Sequence, residues 1–170
     1  MKKINIMWLL AGVGMLFVIN SLFAESMTYF SPGAEPEGFR GIKWGQSLDS
    51  VEGMKLIGEE ISDSESLIYI KEKERLKIGY VDLEKIEYYF WKNRFYKVTI
   101  YVKGYTNWKG LQEATFEKFG RGFQPESTKE EYAWYGNVTR MLLSYDEKEK
   151  QGVLIMFSKE ISTLQQQYDW

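Results

Sequence analysis

The sequence predicts an α+β fold built on an antiparallel sheet, with two short helices on one face. Three observations predict it. Short runs rich in Tyr, Phe, Trp, Val and Ile alternate in hydropathy with a period of two. Turn residues punctuate those runs, and two segments of helical spacing separate them into groups. The 170 residues are a one-domain length, with 44% hydrophobic and 16% aromatic residues. That is enough apolar surface to offset the ordering entropy of a folded chain.

The first 24 residues read as a secretory signal peptide. Lys2 and Lys3 supply a positive start, Ile4 to Ile19 is almost wholly apolar, and small Ala24 precedes Glu25. Cleavage after Ala24 is expected. The alternative is an uncleaved anchor, since about 20 apolar residues suffice to cross a bilayer. Residues 25–37 contain two prolines and a glycine without periodicity, and read as a flexible leader. Residues 38–170 then form a single α+β domain.

That domain opens at Gly38, and the alternation from Phe39 to Trp44 suggests a short strand that Gly45 would break. Ser47 is placed to cap a brief helix carrying Leu48, Val51 and Met54. Gly58 to Ser66 is polar and reads as a loop. Leu67 to Lys71 and Leu76 to Val81 read as strands. Leu83 to Trp91 and Arg94 to Val102 form the clearest hairpin, with Lys92-Asn93 at its turn. Strict alternation assigns Ile86, Tyr88, Phe90, Tyr96, Val98, Ile100 and Val102 to the core. It turns Lys85, Glu87, Tyr89, Trp91, Phe95, Lys97, Thr99 and Tyr101 outward.

Thr106 can cap a second helix whose stripe is Trp108, Leu111, Phe116 and Phe119, with Gly120 as its stop. Glu131 to Tyr135, Val138 to Tyr145 and Gly152 to Ser158 read as three more strands, followed by a short helix at 159–167. The two halves share a plan consistent with a duplicated α-β-β-β unit.

Chemistry is bounded by absence. The chain has no Cys and no His. Disulfides, thiolate metal sites, a cysteine nucleophile and a Ser-His-Asp triad are therefore impossible within it. The net charge is −2, and becomes more negative when Lys2 and Lys3 leave with the signal peptide. Such a domain lacks the electrostatic footprint for nucleic acid. No cofactor is expected.

Candidate acid pairs for a carboxylate hydrolase are Glu84 with Glu87, Glu130 with Glu131, and Asp146 with Glu147. The acidic run Glu59, Glu60, Asp63 and Glu65 does not match a calcium loop. Gly41 and Gly45 lack the Lys-Ser/Thr of a phosphate cradle. The candidate binding residues are the outward aromatics Tyr89, Trp91, Phe95 and Tyr101, because rings on a sheet face stack sugars or anchor protein partners. The bland alternative is that a terminal segment covers them.

The opening FRGIKWGQS, the hairpin IEYYFWKNRFYKVTI and the strand pair YAWYGNVTRMLLSY resemble a group of uncharacterised exported bacterial proteins over residues 38–158. That resemblance implies no activity. In plan the halves are also similar to the small modules of outer-membrane assembly lipoproteins (the SmpA/OmlA type) and of the β-lactamase inhibitor protein. This chain lacks the lipidated cysteine of the former. The expectation is a periplasmic or secreted, non-catalytic binding module, with an envelope protein or cell-wall component as partner and membrane contact only if the N-terminal segment is kept. The alternatives are a carboxylate hydrolase acting on cell-wall glycans and an inhibitor of a periplasmic enzyme.

Overall fold

A computed structural model describes residues 29–60 and 63–168. The signal peptide and its cleavage point lie outside the described residues. In chain order the strands are β1 (Gly38–Phe39), β2 (Ile42–Lys43), β3 (Met54–Glu60), β4 (Asp63–Lys71), β5 (Lys77–Ile78), β6 (Val81–Asp82), β7 (Lys85–Trp91) and β8 (Arg94–Lys103). Helix α1 (Tyr105–Phe119) follows, then β9 (Glu131–Tyr135), β10 (Thr139–Asp146), β11 (Gln151–Ser158) and helix α2 (Lys159–Tyr168).

Seven strands form one antiparallel sheet in the order β3-β4-β7-β8-β11-β10-β9. The fold is α+β, as the period-two runs predict. Two three-stranded meanders, β4-β7-β8 and β9-β10-β11, meet along their last strands. Each meander is preceded by a helical segment, so the duplicated plan is visible in the strand order. The first helical segment is only a 3-10 turn, Leu48–Ser50, capped by the Ser47 hydroxyl as its sequence suggests. Strand β3 adds an outer edge.

The core lies between the sheet and α1. Trp108 and Leu111 of α1 are fully buried against Val98, Ile100, Val102, Leu154 and Met156. Leu48, Val51 and Met54 join the same cluster, so the 3-10 turn and α1 share a face. Full burial of such side chains stabilises by about 1.5–3 kcal/mol each. Gly152 admits the indole of Trp108: a Cβ there would stand 2.7 Å from its ring. Helix α2 lies on the opposite face, burying Ile161 among Tyr89, Trp91 and Tyr96.

Four local expectations are corrected. Residues 29–37 are a fitted strap. Phe30 is buried against Phe119, and Glu35 Oε1 accepts from the backbone amides of Val138 and Thr139. Of the stretch 58–66 read as a loop, residues 58–60 belong to β3 and residues 63–66 to β4. Most of β3 is exposed on both faces, so no alternation marks it. The run 76–81 is split into two strands by Gly79 at φ 56°. Helix α1 begins at Tyr105 after Gly104, which makes no side-chain cap, so Thr106 is already inside it.

The largest correction is to the hairpin. Lys92 and Asn93 hold φ of 46° and 67°, as a two-residue turn between twisted strands requires. Pairing runs Trp91 to Arg94 and Phe90 to Phe95, but Tyr89 then pairs with Lys97. Tyr96 is the extra residue of a β-bulge, and a bulge reverses the facing of everything on one side of it. Phe95 therefore points into the α1 core at 0% exposure, while Tyr96 joins the α2 side.

Candidate functional site

The face opposite α1 is covered by α2 at one end. Helix α2 leaves the end of β11 and crosses toward β4, where Gln165 Nε2 donates to Ser66 Oγ. Tyr168 packs on Trp91, with their ring centres 5.7 Å apart. At the opposite edge Tyr29 packs on Tyr135 and on Phe123, which bridges to Ala133; between these two ends no helix or strand lies over the face among the described residues.

Strand register arranges that open face as a grid. One row reads Lys85, Tyr101, Val153, Ser144, Glu131; the next reads Glu87, Thr99, Ile155, Leu142, Ala133. The third row reads Tyr89, Lys97, Phe157, Arg140, Tyr135. Val153, Ile155, Phe157 and Leu142 form an apolar centre and are each partly exposed. Arg140, Lys85 and Tyr101 stand around them. An apolar centre with an aromatic, Arg-bearing rim is the composition of a protein interface.

The rim is held by a hydrogen-bonded cluster. The Glu87 carboxylate accepts from Tyr89 Oη and Tyr101 Oη, each at 2.9 Å, and from Lys85 Nζ at 2.6 Å. Lys85 Nζ also lies 4.2 Å from the centre of the Tyr101 ring. Glu60 takes the neighbouring role, accepting from Tyr96 and Lys97, and Lys97 stands 4.0 Å from the Tyr89 ring. Burial, followed by the charges and hydrogen bonds of these carboxylates, pushes the phenols of Tyr89, Tyr96 and Tyr101 well above their ordinary range. These phenols stay protonated and act as fixed donors that orient the face.

The four aromatics singled out from sequence do not form one exposed row. Tyr101 lies on the open face. Tyr89 is 7% exposed at its margin, Trp91 is 4% exposed under α2, and Phe95 is on the other side of the sheet. Sequence reasoning passed over Leu142, Val153, Ile155 and Phe157. Their signal was present in β11, where apolar residues stand at consecutive positions, so both faces of that strand are apolar.

Each candidate acid pair has at least one member engaged by neighbouring groups. Glu84 accepts from Gln151, while Glu87 is held by two tyrosines and a lysine. Asp146 accepts from the amides of Lys148 and Glu149 and shapes a turn. Burial opposes ionisation of Glu130, but hydrogen bonds from Gln112 and Tyr132 and the nearby Lys109 outweigh it and hold its carboxyl below the usual range. A general acid needs the reverse shift. Glu131 projects to the open face, away from the α1-side partners of Glu130.

In the acidic run, Glu60 pairs with Lys97 and Glu65 with Lys92. Among the described residues no group of three or more carboxylates could hold a metal ion. A shallow depression of about 220 Å³ near Arg121, Thr128 and Lys129 is polar and open. It is smaller than the ~300 Å³ at which small-molecule sites begin. Asn137-Val138-Thr139 is structural: the Thr139 hydroxyl accepts from Trp44 Nε1 and donates to the Pro36 carbonyl. Gly45 makes a turn at φ 80° whose amide donates to the Phe95 carbonyl.

What fold and site together define is an α+β domain with one sheet face dressed by α1 and the other partly bare among the described residues. In comparisons with known proteins the chain matches no family model, no curated protein and no solved structure.

Proposed function

We propose that this protein is an exported, non-catalytic binding module of the bacterial envelope that grips a protein partner with the open sheet face. The observation that carries the reading is the partly exposed apolar group Leu142, Val153 and Ile155, set within a hydrogen-bonded rim. A solvent-facing sheet is ordinarily polar on its outer side. Here branched and aromatic side chains occupy the middle of it, and that arrangement suits burial against another molecule. The signal-peptide pattern of residues 1–24 supports delivery to the periplasm or beyond.

The test is crosslinking in the periplasm of the producing cell, with wild type beside a Leu142→Asp/Ile155→Asp double variant. Both residues are partly exposed, so the variant should keep the wild-type circular dichroism spectrum. We expect a dominant adduct with one envelope protein, lost in the variant. An adduct of undiminished yield from the folded variant would sink this assignment of the face.

A further inference from the structure

Helix α2 is fastened to the sheet unevenly. At its start the Lys159 amide donates to the Val138 carbonyl at 2.8 Å, and the Ile161 amide donates to Ser158 Oγ at 3.3 Å. Midway, Ile161 is buried and Leu164 half-buried beside Ile68, Tyr89, Trp91 and Tyr96, and Gln165 Nε2 donates to Ser66 Oγ at 3.0 Å. At its far end the fastening lies on the surface. Tyr168 is 68% exposed and rests on Trp91, while Lys92 Nζ stands 3.7 Å from the centre of the Tyr168 ring and 4.7 Å from that of Trp91. Exposed cation–π contacts hold weakly. The exposed ion pair of Arg94 with Glu160 adds little more. A polar ten-residue helix has almost no stability of its own to contribute.

The surface beneath α2 does not depend on it. Among the described residues, the core on the α1 side is a separate cluster to which α2 contributes no side chain. The rings under α2 are held by the sheet itself. Tyr96 Oη donates to Glu60 of β3, and Tyr89 Oη donates to Glu87 of its own strand. Trp91 is paired in register with Ser66 of β4 and Arg94 of β8. Lifting the helix would therefore bare Tyr89, Trp91 and Tyr96 in the places they already occupy. Rings of this kind are the residue types that anchor protein interfaces.

We propose that α2 is a lid, which opens as a unit while the sheet and α1 stay folded, with its first turn as the hinge and the contact of Lys92 with Tyr168 as the latch. Elements that move are drawn from the least stable part of a fold, and α2 is such an element. Closed, it hides the rings. Open, it adds them to the side of the sheet that carries Leu142, Val153 and Ile155. The inference rests on the protein-binding reading of that side for its purpose, and it gives the site a regulation. A partner that uses the rings must displace α2, so its apparent affinity scales with the fraction of molecules whose lid is open.

Native-state hydrogen exchange on the whole chain tests the lid. The amides of residues 163–168 should exchange at least about 100-fold faster than the buried amides of α1. Tyr168→Ala removes an exposed ring and leaves the α1 core untouched. It should speed exchange in α2 roughly two- to fivefold and leave α1 unchanged. Lys92→Met keeps the side-chain stem, loses the charge and should act in the same direction. Exchange of α2 and α1 at one common rate would mean that α2 leaves only when the whole chain unfolds, and overturns the lid. So does an α2 rate that neither variant changes. The measurement needs no partner, so its failure leaves the periplasmic crosslinking test of the binding face standing.

Discussion

Phe95 and Tyr101 stand six residues apart on β8 and face opposite ways. Phe95 is enclosed by Trp44, Tyr88 and Phe90, with the Trp44 ring stacked on it at 4.9 Å. Tyr101 lies on the open face, and its hydroxyl is tied to Glu87. The two residues therefore fail differently when changed. Phe95→Ala leaves a cavity in a close-packed core and should cost about 3–5 kcal/mol. Tyr101→Phe keeps the ring and loses one hydrogen bond to a charged acceptor, worth about 1.5–3 kcal/mol and less where water can reach the carboxylate. Urea denaturation midpoints would rank them, and a Phe95→Ala midpoint equal to wild type would show that the ring is not enclosed. Period-two reading placed both rings on one side. Nothing in the run RFYKV announces where a bulge falls, because the extra residue is selected by packing on both faces. The adjacent rings at 95 and 96, both apolar, were the available hint.

At the scale of elements, the sequence was most informative where one face is buried and the other is wet. The β7–β8 turn, the stripe of α1 and the three strands of the second meander follow from alternation and turn chemistry. Strand β3 was invisible for a physical reason. It is an outer strand with Leu56 and Ile57 exposed and two irregularities in its pairing, so it has no inward row to detect. The role of α2 was equally hidden. A polar, ten-residue helix is too short to be stable alone, and its order comes from docking. Ile161 is its only fully buried residue and the centre of that docking. Ile161→Asp would place a carboxylate among the rings of Tyr89, Trp91 and Tyr96, where an apolar side chain is now buried. We expect α2 to lift while the α1 face stays folded. Acrylamide quenching should then reach Trp91, and a Trp91→Phe partner variant identifies its share of the signal. Unchanged quenching in a stable Ile161→Asp protein would mean that α2 does not shield the rings.

For the whole molecule, the two faces of one sheet carry different kinds of stability. The α1 face is held by apolar contact. The α2 face is held by phenols donating to carboxylates: Tyr96 to Glu60, and Tyr89 and Tyr101 to Glu87. Tyr88 does the same on the α1 side, donating to Glu74, and burial together with that bond raises its phenol too. All four ionise well above the ordinary tyrosine value of 10.0, which they regain on unfolding. The sign follows from proton counting. Above pH 10 the unfolded chain has released these protons and the folded chain has kept them, so raising the pH favours unfolding. Their contribution is complete below pH 10 and declines as the pH rises toward the folded-state values. Each tyrosine removes up to about 1.4 kcal/mol of stability per pH unit in that window. The protein should thus resist alkali up to about pH 10 and then unfold over a narrow range, with a burst of phenolate absorbance coincident with loss of the circular dichroism signal. Gradual ionisation of all 12 tyrosines near their ordinary value, with the fold intact, would show that these phenols are not held by the sheet.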